Sequence, residues 1–453
     1  MRRGPVQWLR ERPAWQLWLA VLFVLINAFA VARALPVNSN AHANDSHLRG
    51  DLDRSVRRVF RLAGEAASQP PNEVRDRFLF FGRDPALFKG VAEFAIRAGL
   101  ERPLLLQLFS VLLFNVGLVA SFLWVKEVFD DSDVAGLTAI VVQAGMPYLM
   151  FTSSSIHYHQ YAFAFFNLSM LCLVRYLRRG LSTYLSLALL ANFVVCLNYW
   201  MYYIPTFAMA NALCWRFGGL SKRLFLLFAL PPVLAVVFVL TQVTMTYGLG
   251  YGLHRIADIL VARTGDWRLP DAEWMPNKRY LSERRLAAYP WTLLERYQGI
   301  AGMPLKIYAA MGLTLGWLLR GRLWTEYKWM TLVLLGGVSW NLIMVQHTVI
   351  HQYTGAYSYA FWMLVAVIFV VEVYKRLPEA LAPALAAAVA IPVSTAYLGQ
   401  TFLPEMWQHV SVACGLQDAP QNDPPTKKRK KHKQRRVSAR ETSAGARGAK
   451  ARR

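Results

Sequence analysis

Five side chains able to carry a proton or steady an anion crowd into Gln346–Tyr359, QHTVIHQYTGAYSY. His347 and His351 stand four apart, and Tyr353, Tyr357 and Tyr359 follow. If the helix expected upstream runs on to His351, both imidazoles share one face a turn apart. The stretch divides two apolar runs, Trp329–Val345 and Ala360–Val373, which sets imidazoles and phenols at a membrane boundary. Ionisable groups there need water or a partner, so they are functional candidates. The competing reading is an interfacial belt of His and Tyr with no chemistry.

Three other segments hold reactive side chains. HANDSHLRGDLDR carries Asp45, Asp51 and Asp53 among His42, His47 and Arg49. A carboxylate here could act as general base or metal ligand, or simply start a helix. FFGRDPALFKG adds Arg83 and Lys89, a guanidinium fork and a point charge suited to a lipid phosphate or to plain interface anchoring. SSSIHYHQY places His157 and His159 two apart, which suits neither one helical face nor a helical zinc motif. A divalent metal shared by these two with His347 and His351 is geometrically open, though no spacing rule draws them together. Residues 248–302 mix Asp258, Asp266, Asp271 and Glu273 with Trp267, Trp274, Tyr280 and Trp291, a combination found where sugars stack and in ordinary folded loops. P-loop, GxGxxG, GxSxG and CxxC patterns do not occur, so nucleotide, serine-hydrolase and zinc-ribbon chemistry has no support.

What must position these residues is a membrane domain. The chain is 55% hydrophobic and 17% charged, outside the range of an ordinary soluble globule. About eleven apolar runs approach bilayer length, near 15–35, 103–125, 134–153, 160–177, 181–201, 203–217, 224–246, 303–319, 328–346, 357–373 and 380–399. The first, after Met1-Arg2-Arg3, is expected to stay as an anchor. With the N-terminus inside, Arg175/Arg178/Arg179, Lys222/Arg223, Arg320/Arg322 and Lys375/Arg376 fall on inner loops. Outer connections near 154–160, 200–204 and 346–356 have no Lys or Arg, as the positive-inside rule requires. The inner 126–133 connection is the acidic exception. Every candidate residue above then lies on the outer side. Val56, Val59, Phe60 and Leu62, near helical spacing among arginines, predict a surface helix over 51–64. Cys172, Cys196 and Cys214 sit within apolar runs, as packing residues do.

The expected organisation is therefore an all-α polytopic membrane protein of about eleven transmembrane helices. Residues 1–14 form an inner segment and 15–400 the membrane domain, with outer loops at about 36–102 and 248–302. Residues 401–453 form a C-terminal tail, disordered from about 420. From Lys427 onward it holds thirteen Lys/Arg against Glu441 alone, a net +12 of the chain's +23. On a membrane protein this charge points to anionic lipid or envelope polymer and not to nucleic acid. Eleven spans put the tail outside, so either 203–217 or 380–399 is no span or the tail is external.

This layout resembles the GT-C superfamily of integral-membrane glycosyltransferases, including its protein O-mannosyltransferase-like and aminoarabinose-transferase-like branches. The resemblance rests on the acidic first outer loop, on RPLLLQLFSVLLFNVGLVASFLWVKEVF (102–129), on Met146-Pro147-Tyr148 with the Ser153–Phe166 turn, and on QHTVIHQYTGAYSY. It departs in two places: Asp45-Ser46 or Asp51-Leu52-Asp53 stands where a paired Asp-Glu is common, and His351-Gln352-Tyr353-Thr354 replaces a His-x-Tyr-Tyr pattern. The resemblance implies sugar transfer from a polyprenyl-phosphate carrier to a lipid, glycan or protein acceptor at the outer face of a bacterial inner membrane. It casts Asp45, Asp51 or Asp53 as the acid that activates the acceptor. Arg83, Lys89 and His351 would meet the donor phosphate, and His157, His159, His347 and Tyr353 would line the pocket. Metal use varies across the superfamily, so a divalent ion stays open. The alternatives are a transporter or flippase for a lipid-linked or anionic substrate, and a non-catalytic scaffold recruited through its tail.

Overall fold

A computed structural model describes residues 103–146, 158–198, 202–219, 221–247, 287–301, 304–345 and 357–376, with isolated positions elsewhere. Among the described residues the fold is all-α, with no β-strand. The helices are α1 (Pro103–Val128), α2 (Asp133–Ala144), α3 (Tyr158–Arg179), α4 (Ser182–Asn198), α5 (Tyr203–Phe217) and α6 (Lys222–Tyr247). They continue as α7 (Tyr289–Ala301), α8 (Pro304–Leu319), α9 (Arg322–Tyr327), α10 (Met330–Ile343) and α11 (Tyr359–Tyr374).

Local chemistry explains the boundaries. Pro103 opens α1, where a missing N–H costs nothing. Ser132 caps α2 by accepting from the Ala135 N–H. Gly145, with Pro147 two residues on, stops α2 at Ala144, well before the end expected at 153. Gly180 and Gly219, both at positive φ, follow the ends of α3 and α5.

Each of the nine expected runs from 103 to 373 contains a helix among the described residues, the 134–153 run only as far as Ala144, while 15–35 and 380–399 lie outside the described residues. Two stretches, Leu108–Val128 and Lys222–Thr241, are both long and apolar enough to cross a membrane. The apolar helices α2, α4, α10 and α11 have 12 to 17 residues, short of the roughly 20 that span a bilayer without help from flanking turns. The span Lys222–Thr241 exposes most of its surface, including Phe225, Leu226, Leu230, Val233, Val237 and Phe238. An apolar face that open requires lipid or another protein against it.

In the centre, α1 packs along α3, α3 along α4, and α2 against α11. Helix α11 buries Met363, Leu364, Ala366 and Val367, closing the core with Phe114, Leu118, Trp124 and Met170. Gln143 and Ser121 both donate to the Met363 sulfur, at 2.9 and 3.6 Å. The Trp124 indole N–H donates to Asn167 Oδ1 at 3.0 Å, tying α1 to α3. Cys196 and Cys214 are buried and Cys172 half-buried, none in a disulfide, as their apolar surroundings predict.

The bundle has two chemically different ends. At the charged end, Glu127 accepts from Arg175 at 3.1 Å, Asp131 pairs with Arg178 at 2.9 Å, and Lys126 meets Asp133 at 2.6 Å. The acidic connection that broke the charge rule is thus neutralised by the basic end of α3. Asp130 and Asp131 hold it in a left-handed turn, at φ 55° and 64°, a conformation short polar side chains tolerate. The Arg178 guanidinium holds the Asp131 carboxyl below its ordinary 3.8, so this pair persists at neutral pH and fades only as pH falls through that lowered value. At the same end the buried Glu372 carboxylate accepts from Tyr327 Oη (2.8 Å), Lys375 Nζ (2.9 Å) and Arg376 Nη1 (2.8 Å).

Helix α5 starts beside its N-cap Tyr202, in the aromatic end described below, and reaches Arg216, which donates to the Val128 carbonyl at the charged end. The 203–217 run therefore traverses the bundle from end to end.

Candidate functional site

At the aromatic end, connections far apart in sequence meet. Tyr357 stacks edge-on against Tyr202 at 5.4 Å and lies 6.3 Å from the Trp340 ring. Tyr359 packs on Phe163 (5.7 Å) and Phe166 (5.8 Å), within the half of α3 that begins at the expected His157/His159 turn. Ser358 accepts from the Trp362 indole and donates to the Gly355 carbonyl.

Closeness here depends on Gly337. A Cβ added there would meet the Ser358 Cα at 3.0 Å, so α10 lies directly against the backbone of Tyr357 and Ser358. Gly337→Ala is expected to lower the melting temperature in detergent although alanine favours helix by about 0.5–1 kcal/mol. Gly316→Ala in α8, where the added atom meets open space, is expected to raise it. Equal shifts of one sign at both positions would show that Gly337 does not set the fit.

The helix expected to reach His351 is interrupted. Helix α10 stops at Ile343, and Met344 (φ −108°, ψ 57°) leaves the helical region. Helical bonding restarts with Thr348 N–H donating to the Met344 carbonyl at 3.0 Å. Asn341 bridges the break, its Nδ2 donating to Thr348 Oγ1 at 3.2 Å. The run of apolar residues through Val345 hid this break, because tertiary hydrogen bonds and no Gly or Pro produce it.

Helix α7, at the end of the 248–302 segment, clasps the same joint. Tyr289 Oη donates to the Asn341 carbonyl, and Tyr297 Oη to Asn341 Oδ1 at 3.2 Å. Arg296 Nε donates to the Thr348 carbonyl at 3.1 Å. Burial pushes the Tyr289 and Tyr297 phenols up, so both remain donors at neutral pH. Burial also lowers the Arg296 pKa, yet guanidinium stays charged in proteins. A fixed positive charge therefore sits on the carbonyl of Thr348, the residue that follows His347 in sequence. Arg296 was not singled out from the sequence, where it is one cation in a mixed loop. Its signal is the helical face of Tyr289, Leu293, Arg296 and Tyr297, visible once α7 is known.

Of the residues expected in the site, His159 alone is described. It is buried, 2% exposed, in the first turn of α3, beside the fully buried Gln160. The 154–160 connection thus ends by Tyr158, and His159 belongs to the helix rather than to a surface turn. Asp45, Asp51, Asp53, Arg83, Lys89, His157, His347, His351 and Tyr353 lie outside the described residues, as do the 51–64 segment and the tail. Among the described residues no group of three His, Cys, Asp or Glu side chains could hold a metal.

The chain matches no protein-family model, and it shows no significant similarity to any curated protein.

Proposed function

We propose that this protein is a multi-pass membrane glycosyltransferase of the GT-C type. In this reading about eleven spans cross a bacterial inner membrane, the charged end faces inward and the aromatic end outward. Transfer breaks the bond between the sugar's anomeric carbon and the carrier phosphate. The acceptor oxygen forms the new bond, and its proton passes to an outer carboxylate among Asp45, Asp51 and Asp53. The phosphate leaves with added negative charge, met by Arg83, Lys89 and His351, to which Arg296 is now added. His157, His159, His347 and Tyr353 line the donor side.

The observation that carries the reading is the meeting of α3, Tyr202, α7 and the Gly355–Tyr359 segment at one end of the bundle. A transferase must gather donor and acceptor groups from separate connections on one face. A transporter instead needs substrate-binding polar groups near mid-membrane. The buried Asn167, Ser169 and Asn211 are each hydrogen-bonded within the bundle, to Trp124 and Phe163, to Ala188, and to Phe207. Those three serve as ties between and along helices, while Asn192 and Asn198 on α4 keep buried amide atoms with no hydrogen-bond partner among the described residues.

The reading is tested in membranes supplied with radiolabelled polyprenyl-phosphate sugars. Label is expected to move to a lipid, glycan or protein acceptor only when the protein is present. Absence of transfer across mannose, galactose, glucose and aminoarabinose donors, with flipping of the intact donor instead, would establish the transporter.

A further inference from the structure

The charged end carries an open cavity of about 500 Å³ that the proposed transfer does not use. Four connections build it: the turn after α1, the end of α5, the α9–α10 junction and the end of α11. Its wall presents three cations, Arg216, Lys328 and Lys375, alongside Trp215, Trp329 and Tyr374. Lys328 Nζ sits 5.4 Å over the Trp215 ring, which steadies the ammonium without neutralising it. Two acids also reach the wall. Glu326 is already engaged by Arg322 at 2.5 Å, and Asp130 stands exposed at the rim. Lys375 shares the Glu372 carboxylate with Arg376. Among the described residues Arg216 pairs with no carboxylate; its guanidinium donates to the Val128 carbonyl and lies 5.8 Å from the Phe217 ring.

We infer that this cavity holds the phosphate headgroup of an anionic membrane lipid. Its volume lies within the range of ligand sites. Half-buried Arg216 supplies a fork for phosphate oxygens, and Lys328 adds a mobile second charge. Exposed Trp324 and Trp317, 67% accessible each, flank the same end as rings at a membrane–water interface do. Basic pockets between helices on the inner leaflet are a recognised seat for such headgroups. The inference rests on the membrane placement proposed above and not on sugar transfer.

Full-length protein in detergent is titrated with dioleoylphosphatidylglycerol and bound lipid is counted by native mass spectrometry. One tightly retained lipid is expected. Arg216→Gln/Lys328→Gln is expected to weaken it at least tenfold, whereas Lys222→Gln/Arg223→Gln, at exposed cations outside the cavity wall, leaves it unchanged. Equal binding by wild type and the cavity variant would overturn the site, as would equal retention of dioleoylphosphatidylcholine. Full displacement by 10 mM inorganic phosphate would overturn the lipid as occupant in favour of a soluble phosphate. Lys328 is exposed, so Lys328→Gln alone carries the test if the double variant fails to fold. Carbonate extraction of the membranes separates failure of the site from failure of the membrane placement.

Discussion

One of Asp45→Asn, Asp51→Asn and Asp53→Asn is expected to lose sugar transfer by about 10²–10⁴-fold, while the other two stay within a few-fold of wild type. Asparagine keeps the shape of aspartate and its ability to accept a hydrogen bond, but it cannot take a proton from an acceptor hydroxyl. The loss should therefore fall on kcat, at matched expression and with the protein's melting temperature preserved. The three carboxylates lie within nine residues and among His47, Arg49 and Arg54, so charge alone does not choose between them. Transfer unchanged in all three would remove the first outer loop from the chemistry and leave the helical bundle as described.

Arg296→Gln is expected to lower transfer by roughly 10²–10³-fold, the scale seen when one fixed donor to a developing negative charge is removed. Arg296→Lys should restore part of the rate, because it returns the charge without the fork. Tyr297→Phe supplies the packing control. It deletes only the hydroxyl that donates to Asn341 and should cost stability with little change in rate per folded molecule. If Gln and Lys variants lose transfer in proportion to their loss of folded protein, Arg296 is a strut of the α7–α10 joint and has no part in meeting the phosphate.

The helices were legible because membrane-length apolar runs end at residues with a clear local effect. Gly180, Gly219, Lys222 and Arg320 punctuate the chain close to where the structure turns. The opposite-charge latch between the 126–133 connection and Arg175/Arg178 was half legible. Both loops were placed on one side, but only the geometry pairs Glu127 with one and Asp131 with the other. The break at Met344 was not legible, since nothing in TLVLLGGVSWNLIMV stops a helix locally. It arises from Asn341 and Thr348 binding each other and from α7 binding both. The inward setting of His159 was hidden for a similar reason. Its neighbours Tyr158 and Gln160 read as a polar turn, yet Gln160 is fully buried and Tyr161 is a buried core residue. The cavity at the charged end had no sequence signature, because four separate connections each give it only a few side chains.

The latch at the charged end also sets an order in time. Arg175 and Arg178 follow their partners by 48 and 47 residues, so the acidic turn after α1 is synthesised well before its counter-charges exist. Until α3 leaves the ribosome, the α1–α2 hairpin carries a negative turn in which Lys126 meets Asp133 while Asp131 and Glu127 lack the arginines they pair with in the folded bundle. Arrival of α3 supplies the arginines that neutralise that turn and the Asn167 that meets the Trp124 indole. A nascent chain cut short before Asn167 has the partners for neither tie, and one cut between Asn167 and Arg175 has only those of the core tie.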